Sequence, residues 1–454
     1  MITLPAPVIK LIRTFQKNGF EIYAVGGSVR DMLIGKSTKG WDFTTNATPE
    51  EIIELFPDSF YDNQFGTVGI KIFGDDKAKP EDIYEVTTFR SERNYTDFRH
   101  PEVVQWGTSL EEDLSRRDFT INAIAYDGKT INDPFGGQQD LIAKRIKTVG
   151  EPDRRFSEDA LRMMRAIRQA SELGFDIDSD TLTAIKKNVQ LIKNISSERI
   201  RDEFFKLLTS QYASDGILIA KNSGILQVIL PEFVPAFDIQ QKSPKRHHIF
   251  DVGTHSITAL KHCPSRDPIV LFSTLLHDIG KIQTYKKDST GLITFYNHEV
   301  VGARIAKHIA LRFRLSNKQV DRVYLLVRWH QFTVDEHQTD SALRRFIRHV
   351  GKENLNDMLA LRTGDRLGGG ATETSWRTEL FKKRLDEVQL QPFSVNDLKI
   401  DGFDIMKELN VKPGPIIGEL LNKLFAEVEA ETLINEREAL LIRLAALFKA
   451  MPQN

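Results

Sequence analysis

The chain changes texture once, near residue 150, and that change limits its fold more than any other feature. Before it, short runs rich in β-branched and apolar residues, Ile22–Val25, Thr67–Phe73 and Tyr84–Phe89, favour pleated, half-buried strands between brief helical stretches. From about Phe156 onward the pattern is helical. Leu161, Met164, Ile167 and Arg168 recur at helical spacing, and Leu182, Ile185, Val189 and Ile192 form a second stripe. This order predicts an α+β architecture, with a small mixed-sheet head followed by an all-α body. The expected divisions are 1–148 (head), 149–235 (helical neck), 236–370 and 371–454, with joints at Gly368-Gly369-Gly370 and near Pro392. Hydrophobic residues at 41% and charged residues at 28% exclude a disordered or membrane-embedded chain. No apolar run approaches the roughly 18 residues that cross a bilayer. Pro5, Pro7, Lys10 and Arg13 make the first twenty positions an amphipathic helix and not a signal peptide. With 62 Lys+Arg against 63 Asp+Glu, any nucleic-acid site must be a local patch. The lone Cys263 excludes an internal disulfide and fits a reducing, cytoplasmic setting.

Ile22-Tyr23-Ala24-Val25 runs straight into Gly26-Gly27-Ser28-Val29-Arg30-Asp31. A strand, a glycine turn and a helix start aim main-chain N–H groups and a helix N-terminus at one point, where a triphosphate can bind. Taken alone, such a pair marks an ordinary turn. Downstream, Trp41-Asp42-Phe43-Thr44-Thr45 reads as a short strand with a carboxylate on the same surface, where a magnesium ion bridging phosphate oxygens would sit.

Three further blocks follow. Arg116-Arg117-Asp118-Phe119-Thr120-Ile121-Asn122-Ala123 sets two cations, a carboxylate and a hydroxyl ahead of an apolar strand. The arginines can hold phosphate bidentately, and Asp118 can accept from a ribose hydroxyl. Asp133-Pro134-Phe135-Gly136-Gly137 is a tight turn, and Glu158-Asp159-Ala160-Leu161-Arg162-Met163-Met164-Arg165 comes next. Asp159 and Arg162, at i and i+3, are expected to share one helix face. A carboxylate only accepts and a guanidinium only donates. Cytosine and adenine both present an amino donor beside a ring-nitrogen acceptor, whereas uracil and guanine present the reverse. At about 1–3 kcal/mol per mismatched buried contact, one such pair selects C and A without a template. A plain surface ion pair is the competing reading of these two residues.

In order and spacing these blocks resemble the class II tRNA nucleotidyltransferases, the family of CCA-adding enzymes and bacterial poly(A) polymerases. The resemblance implies a DNA-polymerase-β-like head that adds C, C and A from CTP and ATP to the tRNA 3′ end, releasing pyrophosphate. It places Gly27, Arg30, Arg117 and Asp118 around the nucleotide and Asp42 on Mg2+. Asp159 and Arg162 would read the base, making 149–235 the nucleotide-selecting neck, with Arg165 and Arg168 on the phosphate or primer side. Glu85 would add a second catalytic carboxylate. The segment Ser91–Trp106, flanked by Arg90, is similar to the mobile loop through which such enzymes pass from C to A, which favours CCA addition over poly(A) synthesis. One position departs: the family carries Asp-x-Asp where this chain has Gly40-Trp41-Asp42. Two-metal transfer needs carboxylates that bridge both ions, so this polypeptide is expected to transfer nucleotides poorly. An engineered change, a natural loss, or compensation by a neighbour such as Glu85 would each account for Gly40.

A second constellation lies in 236–370. Leu275-Leu276-His277-Asp278-Ile279-Gly280-Lys281 places an adjacent His-Asp pair on an apolar helix, costly to bury unless a metal or hydrogen bonds compensate. His255 precedes it and Asp365 follows. The order His…His-Asp…Asp is similar to that of HD-domain phosphohydrolases. The likeness implies a divalent transition metal on His255, His277, Asp278 and Asp365, and His298 and His330 could support another. An HD fold kept for structure alone is the alternative. Within 371–454, Leu398–Met406 and Lys412-Pro413-Gly414-Pro415 resemble the tail that in bacterial nucleotidyltransferases lies along the tRNA elbow. Lys382-Lys383-Arg384 and Lys242, Lys245 and Arg246 are either phosphate contacts or solvated faces. The expected partners are tRNA, CTP and ATP, with no membrane; the oligomeric state is not legible. The competing functions are a poly(A) polymerase of the same family, or a metal-dependent phosphohydrolase acting on RNA 3′ ends or nucleotides.

Overall fold

The computed structural model describes residues 4–38, 40–61, 66–73, 81–95, 101–106, 109–241, 250–332, 338–370, 376–388, 395–430 and 432–450, with backbone alone for 91–95 and 101–106. The head is built on a seven-stranded sheet. Its strands are β1 (Ile22–Val25), β2 (Asp42–Thr45), β3 (Phe60–Tyr61), β4 (Thr67–Ile72) and β5 (Asp82–Thr88), then, beyond a hairpin of β6 (Arg90–Tyr95) and β7 (Pro101–Trp106), β8 (Ala125–Tyr126) and β9 (Ile131–Asn132). The order is β3-β4-β5-β2-β1-β8-β9. β2 and β5 are parallel, and the other neighbours are antiparallel. The helix Ala6–Lys17 buries Val8, Leu11, Ile12 and Phe15, the amphipathic face expected of the first segment.

Within the segment expected to be the mobile loop, Ser91–Trp106, the described residues on either side of 96–100 pair as strands. β6 and β7 run antiparallel from Arg90↔Trp106 to Tyr95↔Pro101. Arg99, another basic residue of that segment, lies outside the described residues, as do Lys242, Lys245 and Arg246.

Beyond residue 150 the chain is helical, as its periodicity predicts. The neck packs the helix Leu161–Leu173 on Ser197–Leu208, and the body stacks Val252–His262, Pro268–Leu276, His298–Arg312, Asn317–Trp329 and Leu355–Gly368. One apolar core runs from Leu4 in the head to Val388 in the body. The helix Trp376–Val388 joins it through Phe381, whose ring stacks on Phe332 at 5.2 Å between centroids. The last helices enclose a separate cluster around Leu398, Ile405, Leu420, Leu424, Leu440 and Leu444. Tail and body meet where Arg344 Nη2 donates to the Glu429 carbonyl at 2.7 Å. Among the described residues, no helix is long and apolar enough to cross a membrane.

Candidate active site and a buried histidine–aspartate centre

Strand register builds the head site. Glu85 on β5 is the partner of Asp42 on β2, which in turn faces Val25 at the end of β1. Register partners point to one side of a sheet, so both carboxylates stand on the same face. Their neighbours Phe43, Tyr84 and Val86 are buried, while Asp42 and Glu85 themselves are exposed. Directly after Val25, Gly26 takes φ 74° and ψ −140°, a conformation that only glycine adopts without cost, and it opens the helix Gly27–Leu33. A β-carbon on Gly26 would lie 3.4 Å from both Asp42 Oδ2 and Arg117 Nη1. Three blocks far apart in sequence therefore meet at one point. Partial desolvation raises the Asp42 carboxyl above its usual range, against the pull of the Arg117 guanidinium. Asp42 and Glu85 fit a magnesium ion as oxygen donors on one exposed edge. Gly40 contributes none: it is exposed at φ 74°, with nothing within 4 Å of a β-carbon built there.

The arginines are held by acidic partners that sequence reasoning missed. Asp113, fully buried, accepts from Arg116 (2.7 and 3.0 Å), Arg117 (3.3 Å) and the Thr44 hydroxyl (3.1 Å). Burial alone would raise this carboxyl, but the two guanidiniums outweigh it and hold it below the usual range. Arg30 donates to Asp31 at 2.8 Å and to Asn122 at 3.0 Å.

Asp118, expected beside the nucleotide, is bound within the protein. Its oxygens accept from the Phe119 N–H and Asn122 on one side and from Arg165 twice, at 2.8 and 2.6 Å, on the other. Through these contacts it holds Arg165 at the junction of head and neck. Burial opposes its charge, yet Arg165 and Asn122 keep it far below the usual carboxylate range. Arg168 is likewise held, by Glu203 at 2.6 Å and Glu172 at 2.7 Å.

Asp159 and Arg162 do not share a helix face. The helix Pro152–Glu158 ends at Asp159, which has φ −143° and ψ 105°, and the next helix starts at Leu161. The cause is local: Asp159 Oδ1 accepts the Leu161 N–H at 3.0 Å, an alternative that short acidic side chains offer to helix continuation. Its other oxygen takes Arg199 at 2.8 Å, while Arg162 donates to Glu158 at 2.8 Å and to the Arg116 carbonyl at 3.1 Å. The two candidate base readers thus sit at a helix junction, each held by its own partner. Arg199 and Glu203 lie i and i+4 on Ser197–Leu208, a spacing visible in the sequence as one face of a charged helix.

In the body, helices bring the predicted ligands together. Gly364 and Gly368 let Leu355–Gly368 approach Val252–His262 so closely that a β-carbon on either would strike Ala259 main-chain atoms at 2.6 to 2.7 Å. This sets His255 Nε2 3.1 Å from Asp365 Oδ1 and 3.2 Å from His277 Nε2. Asp278 Oδ2 lies 3.3 Å from His277 Nε2 and 2.6 Å from Lys281 Nζ. His277 Nδ1 donates to the Thr274 carbonyl at 2.7 Å, which leaves Nε2 as the inward-facing atom. Burial works against a charged His277, but Asp278 and Asp365 push it up to about 10. The carboxylates thus call for a cation here, and the donor set fits a divalent metal. His255, Asp278 and Asp365 line a cavity of about 700 Å3 with Lys281, Tyr296 and Arg362.

Fold and head site together define a nucleotidyltransferase of the polymerase-β type joined to a helical RNA-binding body. Residues 22–147 match the Poly A polymerase head domain, 174–237 an RNA- and SrmB-binding site of polymerase A, and 292–444 the tRNA nucleotidyltransferase domain 2. The CCA-adding enzyme of Ligilactobacillus salivarius is 33% identical over 439 residues, covering 96% of this chain and 94% of that protein. The Geobacillus sp. enzyme is 47% identical over 218 residues, 47% of this chain and 52% of its own length. The Bacillus stearothermophilus CCA-adding enzyme, solved in complex with CTP, superposes with a TM-score of 0.71 at 27% identity over 98% of each chain. The chain belongs to the CCA-adding enzyme family of class II tRNA nucleotidyltransferases.

Proposed function

We propose that this protein adds C, C and A, from CTP and ATP, to the 3′ end of tRNA in the cytoplasm. The observation that carries the reading is the meeting of Gly26, Asp42 and Arg117 beside Glu85. In each transfer the primer's 3′ hydroxyl gives up its proton to solvent as its oxygen bonds the α-phosphorus, the bond from that phosphorus to the bridging oxygen breaks, and pyrophosphate leaves with that electron pair. Bound Mg2+ would lower the barrier by stabilising charge on the attacking and leaving oxygens. Asp42 and Glu85 are the residues to hold it. The main-chain N–H groups after Gly26 face the triphosphate from a helix N-terminus, and Arg117 adds a guanidinium. Asp159 and Arg162 select the base by accepting from its amino group and donating to its ring nitrogen, once they exchange Arg199 and Glu158 for the nucleotide. With one carboxylate fewer at position 40, transfer is slow.

The test uses tRNA ending before CCA and an unstructured RNA of equal length as primers, with labelled CTP and ATP. Addition of C, C and A to tRNA alone is expected. Long A tracts on either primer would instead favour a poly(A) polymerase.

A second reading is favoured by the gathering of His255, His277, Asp278 and Asp365, of which His255, Asp278 and Asp365 line the cavity. The body would hold a divalent transition metal there and act as a phosphohydrolase on RNA 3′ ends or nucleotides. Release of phosphate, lost in His277→Ala, tests it; retention in that variant would sink it.

A further inference from the structure

Gln169 lies on the helix Leu161–Leu173, which also carries Arg162 and Arg165, and it is only 2% exposed. A buried amide is costly unless its polar atoms are bonded, so its partners are informative. Its Oε1 accepts from Asn122 Nδ2 at 3.1 Å and reaches Arg30 Nη1 at 3.5 Å. Asn122 in turn accepts from Arg30 Nη1 at 3.0 Å through Oδ1 and donates to Asp118 Oδ1 at 3.0 Å through Nδ2. The guanidinium only donates and the carboxylate only accepts, which fixes both amides. Turning Asn122 over would set its NH2 against Arg30 and its oxygen against Asp118. Turning Gln169 over would set its NH2 against two donors. These four side chains therefore have one arrangement in which like groups do not meet.

The set clamps two parts of the molecule. Asp118 and Asn122 belong to the head segment that ends in the turn Thr120–Asn122. Arg165 and Gln169, at i and i+4, share one face of the neck helix. Asp118 takes Arg165 and Asn122 takes Gln169, so two side chains of the neck grip two of the head. Arg162, earlier on that helix, donates to the Arg116 carbonyl at 3.1 Å. At the other end of this run of bonds, Arg30 has Nε and Nη2 on Asp31 Oδ1, both at 2.8 Å, and Nη1 on the two amide oxygens. A β-carbon on Gly27 would lie 3.5 Å from Arg30 Nη2, so the guanidinium rests against the glycine turn. A cation of the head is thus oriented from the neck.

We propose that Gln169 is a positioning residue for the triphosphate: through Asn122 it fixes Arg30 against the glycine turn and ties that cation to the helix bearing Arg162. This rests on the transfer reading of the head, in which the phosphates of the nucleotide occupy the turn. The neck then sets where the phosphates lie as well as which base enters. Without the Gln169 oxygen, Asn122 can turn over and Arg30 Nη1 is loosened, while Asp159 and Arg162 keep their own partners.

The test measures incorporation from CTP into tRNA lacking CCA by the full chain, with CMP as a competing inhibitor that carries the same base without the β- and γ-phosphates. In Gln169→Leu the KM for CTP should rise about tenfold, as for one buried hydrogen bond lost, with kcat little changed and inhibition by CMP unaltered. Gln169→Asn, whose amide falls short by one methylene, should show the same split. Gln169→Glu keeps an acceptor at full reach and should recover the parent's KM. Parallel losses for CTP and CMP in the Leu and Asn variants would overturn the proposal, because Gln169 would then only support helix packing. An unchanged KM for CTP in both would also overturn it. A parent chain that neither incorporates nor binds CTP would overturn the transfer reading on which this rests.

Discussion

Gly40→Asp separates what the head has kept from what it lacks. At φ 74° an aspartate is in the left-handed region, which costs about 1–2 kcal/mol for most residues and least for Asp and Asn. Replacing glycine returns about 0.4–1 kcal/mol by restricting the unfolded chain. No atom lies within 4 Å of the new β-carbon, so no clash adds to this. The net loss is at most about 1 kcal/mol, a melting shift of only about 2–4 °C even for a medium-sized domain. The variant will therefore fold, and its activity is interpretable. A second metal-bridging carboxylate contributes to a Lewis-acid effect of several kcal/mol; taking about 3 kcal/mol, transfer should rise roughly a hundredfold. Single-turnover incorporation of CMP and AMP into tRNA lacking CCA, across a Mg2+ titration, measures this. Glu85→Gln in both backgrounds completes a cycle: if Glu85 substitutes for the absent carboxylate, its loss should damage the parent chain more than the Gly40→Asp variant. Equal rates for parent and Gly40→Asp would refute the reasoning, since position 40 would then have no part in metal binding.

Three further outcomes follow from named contacts. Asp159→Asn supplies a donor where the carboxylate only accepts, so discrimination of CTP over UTP should fall about 5- to 150-fold, equivalent to about 1–3 kcal/mol, in competition assays. Asp118 is depressed in the folded state by Arg165, after overcoming its burial, so its stabilisation is full above the unfolded value near pH 4 and is lost as pH falls toward the folded one. Acid melting curves should show that loss below about pH 4 in the parent and not in Asp118→Asn, which should cost about 2 kcal/mol at pH 7, a low figure because Arg165 is one-third exposed. Gly280→Ala must push the Asp278 turn off the His298 helix, and about 2–3 kcal/mol of stability should go, read by thermal melts.

The sequence carried the head, the helical body and both clusters, because these rest on periodicity and on residues whose chemistry is strong in any setting. Asp42, Gly26 and Arg117 were legible as separate blocks, but only register shows that Glu85 stands beside Asp42. The junction at Asp159 was not legible, because Glu158 to Arg165 reads as continuous helix until one carboxylate captures the Leu161 N–H. Nor were the acidic partners of the arginines. Asp113 looks like any acid near a helix end, and its buried contact with Thr44 on β2 is a product of tertiary packing. The hairpin of β6 and β7 was masked by charge: Arg90, Glu92 and Arg93 lack the alternation that marks a half-buried strand.

The tail's separate apolar cluster has a thermodynamic consequence. The eight buried side chains it has among the described residues are too few to stabilise a unit of this size well. Residues beyond 395 should therefore melt as their own cooperative step, below the body, and calorimetry should show two transitions where a single shared core would give one. A ligand that grips only the tail would raise the first transition and leave the second in place. The chain would then report where an RNA touches it by which of its two heat-absorption peaks moves.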